Sequence, residues 1–421
     1  MFGYLIELGR ESLLCASECA SVLAWQAPGA RLEAVAPHLL LVESEGELAS
    51  DLFDQLGGVV RVARCMGTVS EFSVPDLLSE INPILESLVE RKSGERVVFG
   101  LSLFLGKKHR TKSMRGSVSE ILTALKEQLR ERGFSGRFIE PHEDQAVLSS
   151  AQVGESKMLE NGFEIVAAKR DSDWLIGSTC WIQDYSGQSA RDYERPQADP
   201  KSGMLPPKLA RMMVNLARGP KTRTILDPFC GSGGILMEAC LLGLSPTGLD
   251  CELDAVKSAR ENCDWLRDRT KGRLPEVHYT QGDATEMRHY FDPLSFDCVV
   301  TEPYLGPPLT KNPPPRQIKQ TVNELTSLYR EALAEIRIVT RTGGRVVFVA
   351  PRFRDSHGEE QSVPVGSIIR LAGYRAVDPL SQVQYPEKLD APQEELRRAR
   401  TGVLSYSRPG QYVTRMLHLM E

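Results

Sequence analysis

Short apolar runs alternate with segments of helical periodicity through the first third of the chain. This pattern predicts four strands and four helices in this region, with shorter strands continuing to about residue 183. The predicted strands cover residues 3–8, 38–43, 59–66 and 96–105, and the predicted helices cover residues 12–25, 48–56, 74–91 and 117–132. Two β-α-β units of this size favour a ferredoxin-like layer at the beginning of the chain.

The second half of the chain predicts a doubly wound sheet, because strands alternate with helices there. Residues 184–207 are polar and rich in glycine and proline, and we expect a linker or an ordered loop. A helix over residues 208–217 then precedes the predicted strands, which cover residues 223–226, 245–249, 277–281, 296–300 and 345–350. A late pair of strands, near residues 374–377 and 411–419, gives the sheet an antiparallel ending.

Composition bounds these expectations without deciding between functions. A length of 421 residues predicts two or three domains, and nine cysteines without a C-x-x-C pair indicate reduced thiols. The net charge of −5 gives no general affinity for nucleic acid, so a basic binding surface must be local.

The segment from residue 224 to residue 234, TILDPFCGSGG, carries the clearest chemical signal. An apolar strand ends in Asp227 and leads through Phe229 and a turn with Gly231 and Gly233 into a helix. Glycines in such a turn let the backbone approach a ligand at the start of the helix, which is typical of nucleotide-type sites. The spacing differs from the dinucleotide fingerprint, and no Walker lysine is present, which argues against an ATPase.

Two further acids end the next two predicted strands. Asp250, followed by Cys251, lies nineteen residues after Gly231, where an acid can bind ribose hydroxyls. Asp283, followed by Ala284, can accept a hydrogen bond from an adenine amino group at the same edge of the sheet. Each acid alone could be a helix cap or turn former, but three in register favour a ligand site. An NAD enzyme fits this pattern equally well until the fourth strand is considered.

The fourth strand runs into Thr301-Glu302-Pro303-Tyr304-Leu305-Gly306. This motif resembles that of methyltransferases acting on amino groups, in which Asp, Asn or Ser precedes two prolines and an aromatic residue. A carboxylate that accepts the N–H bonds of a base amine aims its lone pair at a methyl donor, and an aromatic ring stacks the base. The resemblance gives Glu302 the proton-acceptor role and places Pro303 and Tyr304 beside it. The chain departs from the pattern in having glutamate first and Tyr304 where the second proline is usual.

The glycine turn resembles the first motif of S-adenosylmethionine-dependent methyltransferases, and a wider resemblance surrounds it. The chain resembles the archaeal-type family of tRNA guanosine N2-methyltransferases that act at position 10. The stretches that carry this resemblance are Gln183-Asp184-Tyr185, Arg191-Asp192, Arg195-Pro196, residues 203–208 (GMLPPK), residues 227–233 and residues 406–413 (YSRPGQYV). This resemblance implies S-adenosylmethionine as the cofactor, tRNA as the partner, and Leu205 and Pro206 against the methionine end of the cofactor.

The resemblance also implies an α/β chain of four parts. These are a ferredoxin-like N-terminal domain (1–72), a THUMP-like RNA-binding domain (73–183), a linker (184–207), and a Rossmann-like class I methyltransferase domain (208–421) with a mostly parallel seven-stranded sheet.

A basic segment within the THUMP-like region supports an RNA partner. Five cations fall within nine residues at a strand-to-helix connection, where they can bind phosphates: Lys107, Lys108, Arg110, Lys112 and Arg115. The same segment is also compatible with an ordinary solvated loop.

Three functions remain open from sequence. The first is methylation of the exocyclic N2 amine of a guanosine in tRNA. The second is a non-catalytic RNA-binding protein that keeps the cofactor pocket, which the altered TEPYLG motif allows. The third is a DNA amino-methyltransferase, which the N-terminal β-α-β region and its basic segment disfavour. We expect a cytoplasmic monomer that uses no metal and no membrane, because the seven histidines have no metal-site spacing and no apolar run is long enough to span a bilayer.

Overall fold

The computed structural model describes residues 1–88, 96–106, 114–142, 145–197, 204–270, 272–408 and 410–421. Its strands are β1 (Phe2–Leu8), β2 (Arg31–Ala36), β3 (Leu39–Ser44), β4 (Val59–Val69), β5 (Arg96–Phe104), β6 (Ser135–Ile139), β7 (Gly162–Arg170), β8 (Asp173–Ile182), β9 (Thr224–Asp227), β10 (Ser245–Asp250), β11 (His278–Gln281), β12 (Cys298–Thr301), β13 (Val346–Arg354), β14 (Glu360–Ser362), β15 (Val383–Gln384), β16 (Val403–Tyr406) and β17 (Val413–Met420). Its α-helices are α1 (Ser12–Gln26), α2 (Ser50–Asp54), α3 (Val74–Ser87), α4 (Arg115–Glu131), α5 (Ser150–Glu155), α6 (Met158–Asn161), α7 (Tyr185–Tyr193), α8 (Pro207–Ala217), α9 (Gly234–Leu241), α10 (Leu253–Arg269), α11 (Pro315–Val339), α12 (Val365–Leu371) and α13 (Gln393–Arg400).

The beginning of the chain has the predicted ferredoxin-like topology. Strands β1 to β4 and helices α1 and α2 form two split β-α-β units, with antiparallel strands in the order β2-β3-β1-β4. Leu5 in the centre of β1 pairs with Leu41 on one side and with Ala63 on the other. The sequence pattern missed β2, because its apolar positions run almost directly into those of β3.

The same sheet continues into the region predicted to resemble a THUMP domain. Strand β4 pairs with β8, and the order continues through β7 and β5 to β6. Helices α3 and α4 cover β5 and enclose a separate apolar core that includes Leu77, Phe99 and Leu125. The boundary expected between residues 72 and 73 falls between β4 and α3, within one continuous nine-stranded sheet. The THUMP assignment itself stays a prediction.

The second half forms the predicted doubly wound sheet. Seven strands follow the order β11-β10-β9-β12-β13-β17-β16, and the short β14 adds an eighth beside β13. The five strands from β11 to β13 are parallel, whereas β17 runs antiparallel to β13, with Leu419 opposite Val347. The reversed last strand was predicted, but its partner β16 was missed. Residues 374–377, which lie within the described part of the chain, were wrongly predicted as a strand; Ala376 forms an isolated bridge with Met420.

Part of the expected linker is helical. Within residues 184–207, helix α7 begins after Asp184, whose side chain accepts a hydrogen bond from the Gly187 amide nitrogen at 2.9 Å. Arg191 of this helix bonds Glu238 of α9 through its Nε at 2.7 Å. The polar, glycine-containing composition concealed the helix, because its stability comes from the cap and from this contact with α9.

The two halves of the molecule share one hydrophobic core. Leu14 of α1 and Leu209 of α8 belong to the same cluster of buried side chains. At this junction the buried carboxylate of Glu18 accepts hydrogen bonds from the amides of Gly57 and Gly58 and from the side chain of Asn215. Strand β15, inserted after α12, pairs with the edge strand β2 of the N-terminal sheet. These contacts fix the N-terminal sheet against the doubly wound sheet.

Candidate cofactor and active site

The glycine turn after β9 leaves its backbone open to a ligand. Gly231 and Gly233 have φ values of 50° and 81°, a region that favours glycine. A Cβ atom on Gly231 would meet no heavy atom within 4 Å, so the peptide faces open space. A Cβ atom on Gly233 would lie 3.1 Å from Ala259 of α10. Gly231 therefore leaves room for a ligand beside its backbone, whereas Gly233 packs the turn against α10.

Asp227 at the end of β9 is a buried acid. Its Oδ1 accepts hydrogen bonds from the Thr301 hydroxyl at 2.7 Å and from the Phe229 amide at 3.3 Å. Burial is the largest cause that raises the pKa of Asp227 to about 7; the hydrogen bonds from Thr301 and Phe229 oppose it, and the neighbouring carboxylates of Asp250 and Glu302 add to it. This carboxyl group is therefore poised to ionise when a cation enters beside it.

Asp250 and Asp283 end the two neighbouring strands at the same edge of the sheet. Asp250 accepts from the Gly231 amide at 2.9 Å and from the Glu252 amide at 3.0 Å, which ties the β10 turn to the glycine turn. Asp283 accepts from the amide and hydroxyl of Thr285, both at 2.8 Å. The three acids predicted to be in register thus lie along one rim.

Two cavities open along this rim, and both are lined by Phe229 and Glu302. The inner cavity, of about 340 Å³, is lined by Arg195, Gln197, Met204, Leu205, Asp227, Phe229, Cys230, Gly231, Ser232, Gly234, Ile235, Ser258 and Glu302. The outer cavity, of about 710 Å³, is lined by Pro228, Phe229, Asp250, Cys251, Glu252, Asp283, Ala284, Glu302, Pro303, Tyr304, Leu305, Gly306, Pro308, Leu328 and Arg415.

Glu302, directly after β12, is held by an arginine from β17. Arg415 donates from Nε to Oε2 at 2.5 Å and from Nη2 to Oε1 at 3.1 Å. The Arg415 side chain is 5% exposed and that of Glu302 is 16% exposed. A carboxylate with so little exposure to water is stabilised by such a partner, and the two-pronged contact fixes its orientation as well as its charge.

Tyr304 stands beside this pair with an accessible ring. The residue is 56% exposed, which is unusual for a large aromatic side chain. The Tyr329 hydroxyl from α11 donates to the Tyr304 carbonyl at 2.8 Å. Gly306 has a φ of 98°, and a Cβ atom there would lie 2.8 Å from Thr321. The loop is therefore anchored on α11 while the Tyr304 ring faces the outer cavity.

Arg195, just after α7, points into the inner cavity. It is 3% exposed, and its Nη2 lies 2.8 Å from the Met204 sulfur. Its Nε and Nη1 are buried and have no hydrogen-bond partner among the described residues. Burial lowers the pKa of Arg195 from its ordinary value.

Most residues that the sequence predicts for cofactor binding and catalysis line the two cavities. The exceptions are Gly233, which packs on α10, and Pro206, which caps the N-terminus of α8. Lys107, Lys108, Arg110 and Lys112 lie outside the described residues, and Arg115 is the first residue of α4. No group of three or more His, Cys, Asp or Glu side chains with metal-binding geometry occurs in the described ranges.

Two arginines of the cavities were missed by sequence reasoning. Arg195 was predicted only as part of the linker segment, and no role was predicted for Arg415. Arg415 comes from a strand more than one hundred residues after its partner, so no local motif joins it to Glu302. The available signal for Arg195 was that Arg195-Pro196 belongs to the stretches of the family resemblance, but this did not indicate a cavity.

The sheet order, glycine turn and strand-end acids define a Rossmann-like methyltransferase fold, and comparisons with known proteins agree. Residues 195–357 match a family model described as RMKL-like, methyltransferase domain. The solved structure of TrmN from Thermus thermophilus superposes with a TM-score of 0.51 at 15% identity, covering 100% of this chain and 99% of that one. A possible methylase from Clostridium difficile 630 gives a TM-score of 0.50 at 13% identity, covering 99% and 97%. At these identities the similarity shows the fold alone.

Curated relatives with similar sequences are archaeal tRNA-modifying enzymes. A tRNA (guanine(10)-N2)-dimethyltransferase from Pyrococcus abyssi is 40% identical over 116 residues, which cover 28% of this chain and 31% of the relative. The enzyme of the same name from Methanothermobacter thermautotrophicus is 34% identical over 167 residues, covering 39% and 44%. The matched segments therefore span less than half of either relative's length.

Proposed function

We propose that the protein is an S-adenosylmethionine-dependent methyltransferase that modifies the exocyclic N2 amine of a guanosine in tRNA. The observation that carries the proposal is the position of Glu302, whose carboxylate lines both cavities and therefore faces a bound donor and a bound acceptor at once. The relatives' names support the choice of guanine N2 and of tRNA.

The residues along the rim fit S-adenosylmethionine. Asp250 is placed to accept from the ribose hydroxyls, and Asp283 with Ala284 from the adenine amino group. Asp227 lies in the inner cavity, where it suits the ammonium of the methionine end. The open space beside Gly231 lets a ligand approach the backbone of the glycine turn. When bound, this cofactor supplies a methyl group made electrophilic by its sulfonium charge.

Glu302 and Tyr304 act on the acceptor. The guanine N2 amine is a poor nucleophile because its lone pair is delocalised into the ring. A Glu302 oxygen that accepts a hydrogen bond from the N2 amine turns the lone pair of the amine toward the methyl group. The same carboxylate stabilises the positive charge that develops on the nitrogen. The exposed ring of Tyr304 provides a surface on which a flipped-out base stacks.

The RNA partner requires a basic surface away from the acidic rim. The candidate from sequence is the basic segment of Lys107, Lys108, Arg110, Lys112 and Arg115, of which Arg115 alone lies within the described residues, and phosphate binding by such a segment is salt-dependent. None of the helices in the described ranges is long and apolar enough to cross a bilayer. We further propose that the protein acts as a monomer in the cytoplasm.

The test is a methyl-transfer assay with labelled S-adenosylmethionine on unmodified tRNA, ribosomal RNA and duplex DNA, followed by mass spectrometry of the nucleosides. We expect N2-methylguanosine or N2,N2-dimethylguanosine in tRNA alone. Label at an adenine or cytosine amine in DNA would contradict the substrate, and no transfer to any nucleic acid would favour the non-catalytic alternative.

A further inference from the structure

We propose that Arg195 is the residue that binds the carboxylate of the cofactor's methionine end, so that the segment after α7 forms one wall of the cofactor site. This inference rests on the proposed function and adds a residue that the glycine turn and the strand-end acids do not include. It identifies what the inner cavity recognises beyond a nucleoside, namely a zwitterionic amino acid group.

The first observation is a buried cation that forms no ion pair with the described residues, although the carboxylates of Asp192 and Glu238 lie near enough to act on its charge. Arg195 is 3% exposed, and its Nε and Nη1 have no acceptor in the part of the chain that the structure describes. The contact of its Nη2 is with the Met204 thioether, a weak acceptor. Burying a guanidinium without a carboxylate or phosphate is costly, so an anion from outside the protein is expected in this place.

Neighbouring arginines show that this arrangement is specific to Arg195. Arg191 and Arg211 each donate from Nε to Glu238, to different carboxylate oxygens and both at 2.7 Å. Glu238 therefore already receives one guanidinium on each oxygen. These two arginines join α7 and α8 to α9, whereas Arg195 continues past them into the cavity.

The acids of the inner cavity are also engaged elsewhere. Asp227 accepts from Thr301 and Phe229, and Glu302 is paired with Arg415. The cavity thus contains a cation, Arg195, that can bind an anion. It also contains a buried acid, Asp227, whose pKa is raised to about 7. A ligand carrying a carboxylate and an ammonium on one carbon matches both.

The position of Arg195 fixes where the carboxylate would lie. Its Nη1 is 3.7 Å from the point where a Cβ atom on Gly234 would stand, at the first residue of α9. A carboxylate there also meets the amide groups at the start of this helix, which bear partial positive charge. Arg195 and the helix start would therefore act together on one anionic group.

A thermodynamic cycle with two ligands tests the assignment. Calorimetry measures binding of S-adenosylhomocysteine and of its decarboxylated analogue to the full chain and to Arg195→Ala, Arg195→Gln and Arg195→Lys. Because a hydrogen bond to a charged group contributes about 1.5–3 kcal/mol, we expect Arg195→Ala and Arg195→Gln to bind S-adenosylhomocysteine about 10- to 100-fold more weakly. Binding of the decarboxylated analogue should change less than about threefold, and Arg195→Lys should recover part of the loss.

Arg191→Ala is the matched control, since it shortens an arginine of the same segment that already has a partner; it should affect both ligands alike. Equal losses for both ligands with Arg195→Ala and Arg195→Gln, or no loss for either, would overturn the assignment. Weaker tRNA binding with unchanged S-adenosylhomocysteine binding would instead place Arg195 against a phosphate. A wild-type chain that binds neither ligand would refute the proposed function itself, and this assignment with it.

Discussion

Arg415 donates a hydrogen bond to each carboxylate oxygen of Glu302, with its Nε 2.5 Å from Oε2 and its Nη2 3.1 Å from Oε1. The arginine reaches across from β17, which pairs with β13, to the end of β12. A glutamate in place of the shorter residues of related motifs is therefore accompanied by a partner that fixes its longer side chain. The glutamate of the TEPYLG motif is constrained by this contact.

Removing the charge of Glu302 should separate cofactor binding from transfer. We expect Glu302→Gln to lower kcat by at least about 100-fold, because an amide oxygen is a weaker hydrogen-bond acceptor than a carboxylate. The substitution also removes the anion that pairs with Arg415. Affinity for S-adenosylhomocysteine should stay within about threefold of wild type, since Asp250 and Asp283 remain. Single-turnover transfer and calorimetry measure the two quantities, and wild-type turnover by Glu302→Gln would show that the proton-acceptor assignment is wrong.

Shortening Glu302 to aspartate tests whether the lengths of Glu302 and Arg415 are matched to each other. The alternative is that glutamate replaced a shorter residue at this position without any matching change. If Arg415 and Glu302 are matched in length, Glu302→Asp should reduce kcat by about 100-fold even though aspartate is usual in related motifs, because a displacement near 1 Å has that effect. Arg415→Lys, which keeps the charge but loses the two-pronged contact, should also reduce kcat, by about tenfold. Higher activity in Glu302→Asp would contradict the matched-pair interpretation.

Asp250 should be the most sensitive residue for cofactor binding. Its carboxylate both faces the outer cavity and accepts from the Gly231 amide, so Asp250→Ala removes a ligand contact and loosens the glycine turn. We expect S-adenosylhomocysteine to bind at least about 100-fold more weakly, as befits the loss of two hydrogen bonds to a charged group. Asp254→Ala on the exposed face of α10 is the control and should bind as wild type does.

The sequence predicted those parts of the site that local signals specify. Asp227, Asp250 and Asp283 each end an apolar run, and the turn with Gly231 follows the first of them directly, so their register follows from a parallel sheet. Arg415 could not be predicted, because its contact with Glu302 depends on β17 being inserted next to β13. Its contact with the loop after β12 is a property of the topology.

The elements of the fold also divide into those that local sequence signals predict and those that depend on contacts between distant parts of the chain. The ferredoxin-like units and the parallel core were predicted because each strand carries a compact apolar run. Strand β16 and helix α7 were missed because their stability comes from neighbours, the edge of β17 for one and α9 for the other. The pairing of β15 with β2 joins residues about 350 positions apart and involves two residue pairs, so no periodicity could indicate it.

Cofactor binding should release a proton near neutral pH. The ligand-free pKa of Asp227 is raised to about 7 by burial, so below that pH the carboxyl group is protonated and neutral. An ammonium beside it favours the ionised form, so affinity should rise with pH and level off above about pH 7. Calorimetry at pH 6 in buffers of different ionisation enthalpy should show release of about one proton with S-adenosylhomocysteine. Asp227→Asn should abolish this release, and an unchanged proton count in that variant would assign it to another group.

The buried carboxylate of Glu18 should contribute to the free energy of unfolding that the two halves of the protein share. It accepts from the Gly57 and Gly58 amides at 2.8 and 2.7 Å and from Asn215 of α8 at 2.5 Å, and burial raises its pKa. Glu18→Ala leaves these three donors without their acceptor in the shared core, and we expect a loss of about 3 kcal/mol in the free energy of unfolding. Urea denaturation followed by circular dichroism should still show one transition, because both sheets contribute to one hydrophobic cluster. The exposed Glu45→Ala should leave the midpoint unchanged, whereas a second transition in the wild-type chain would mean that the N-terminal sheet unfolds independently of the doubly wound sheet.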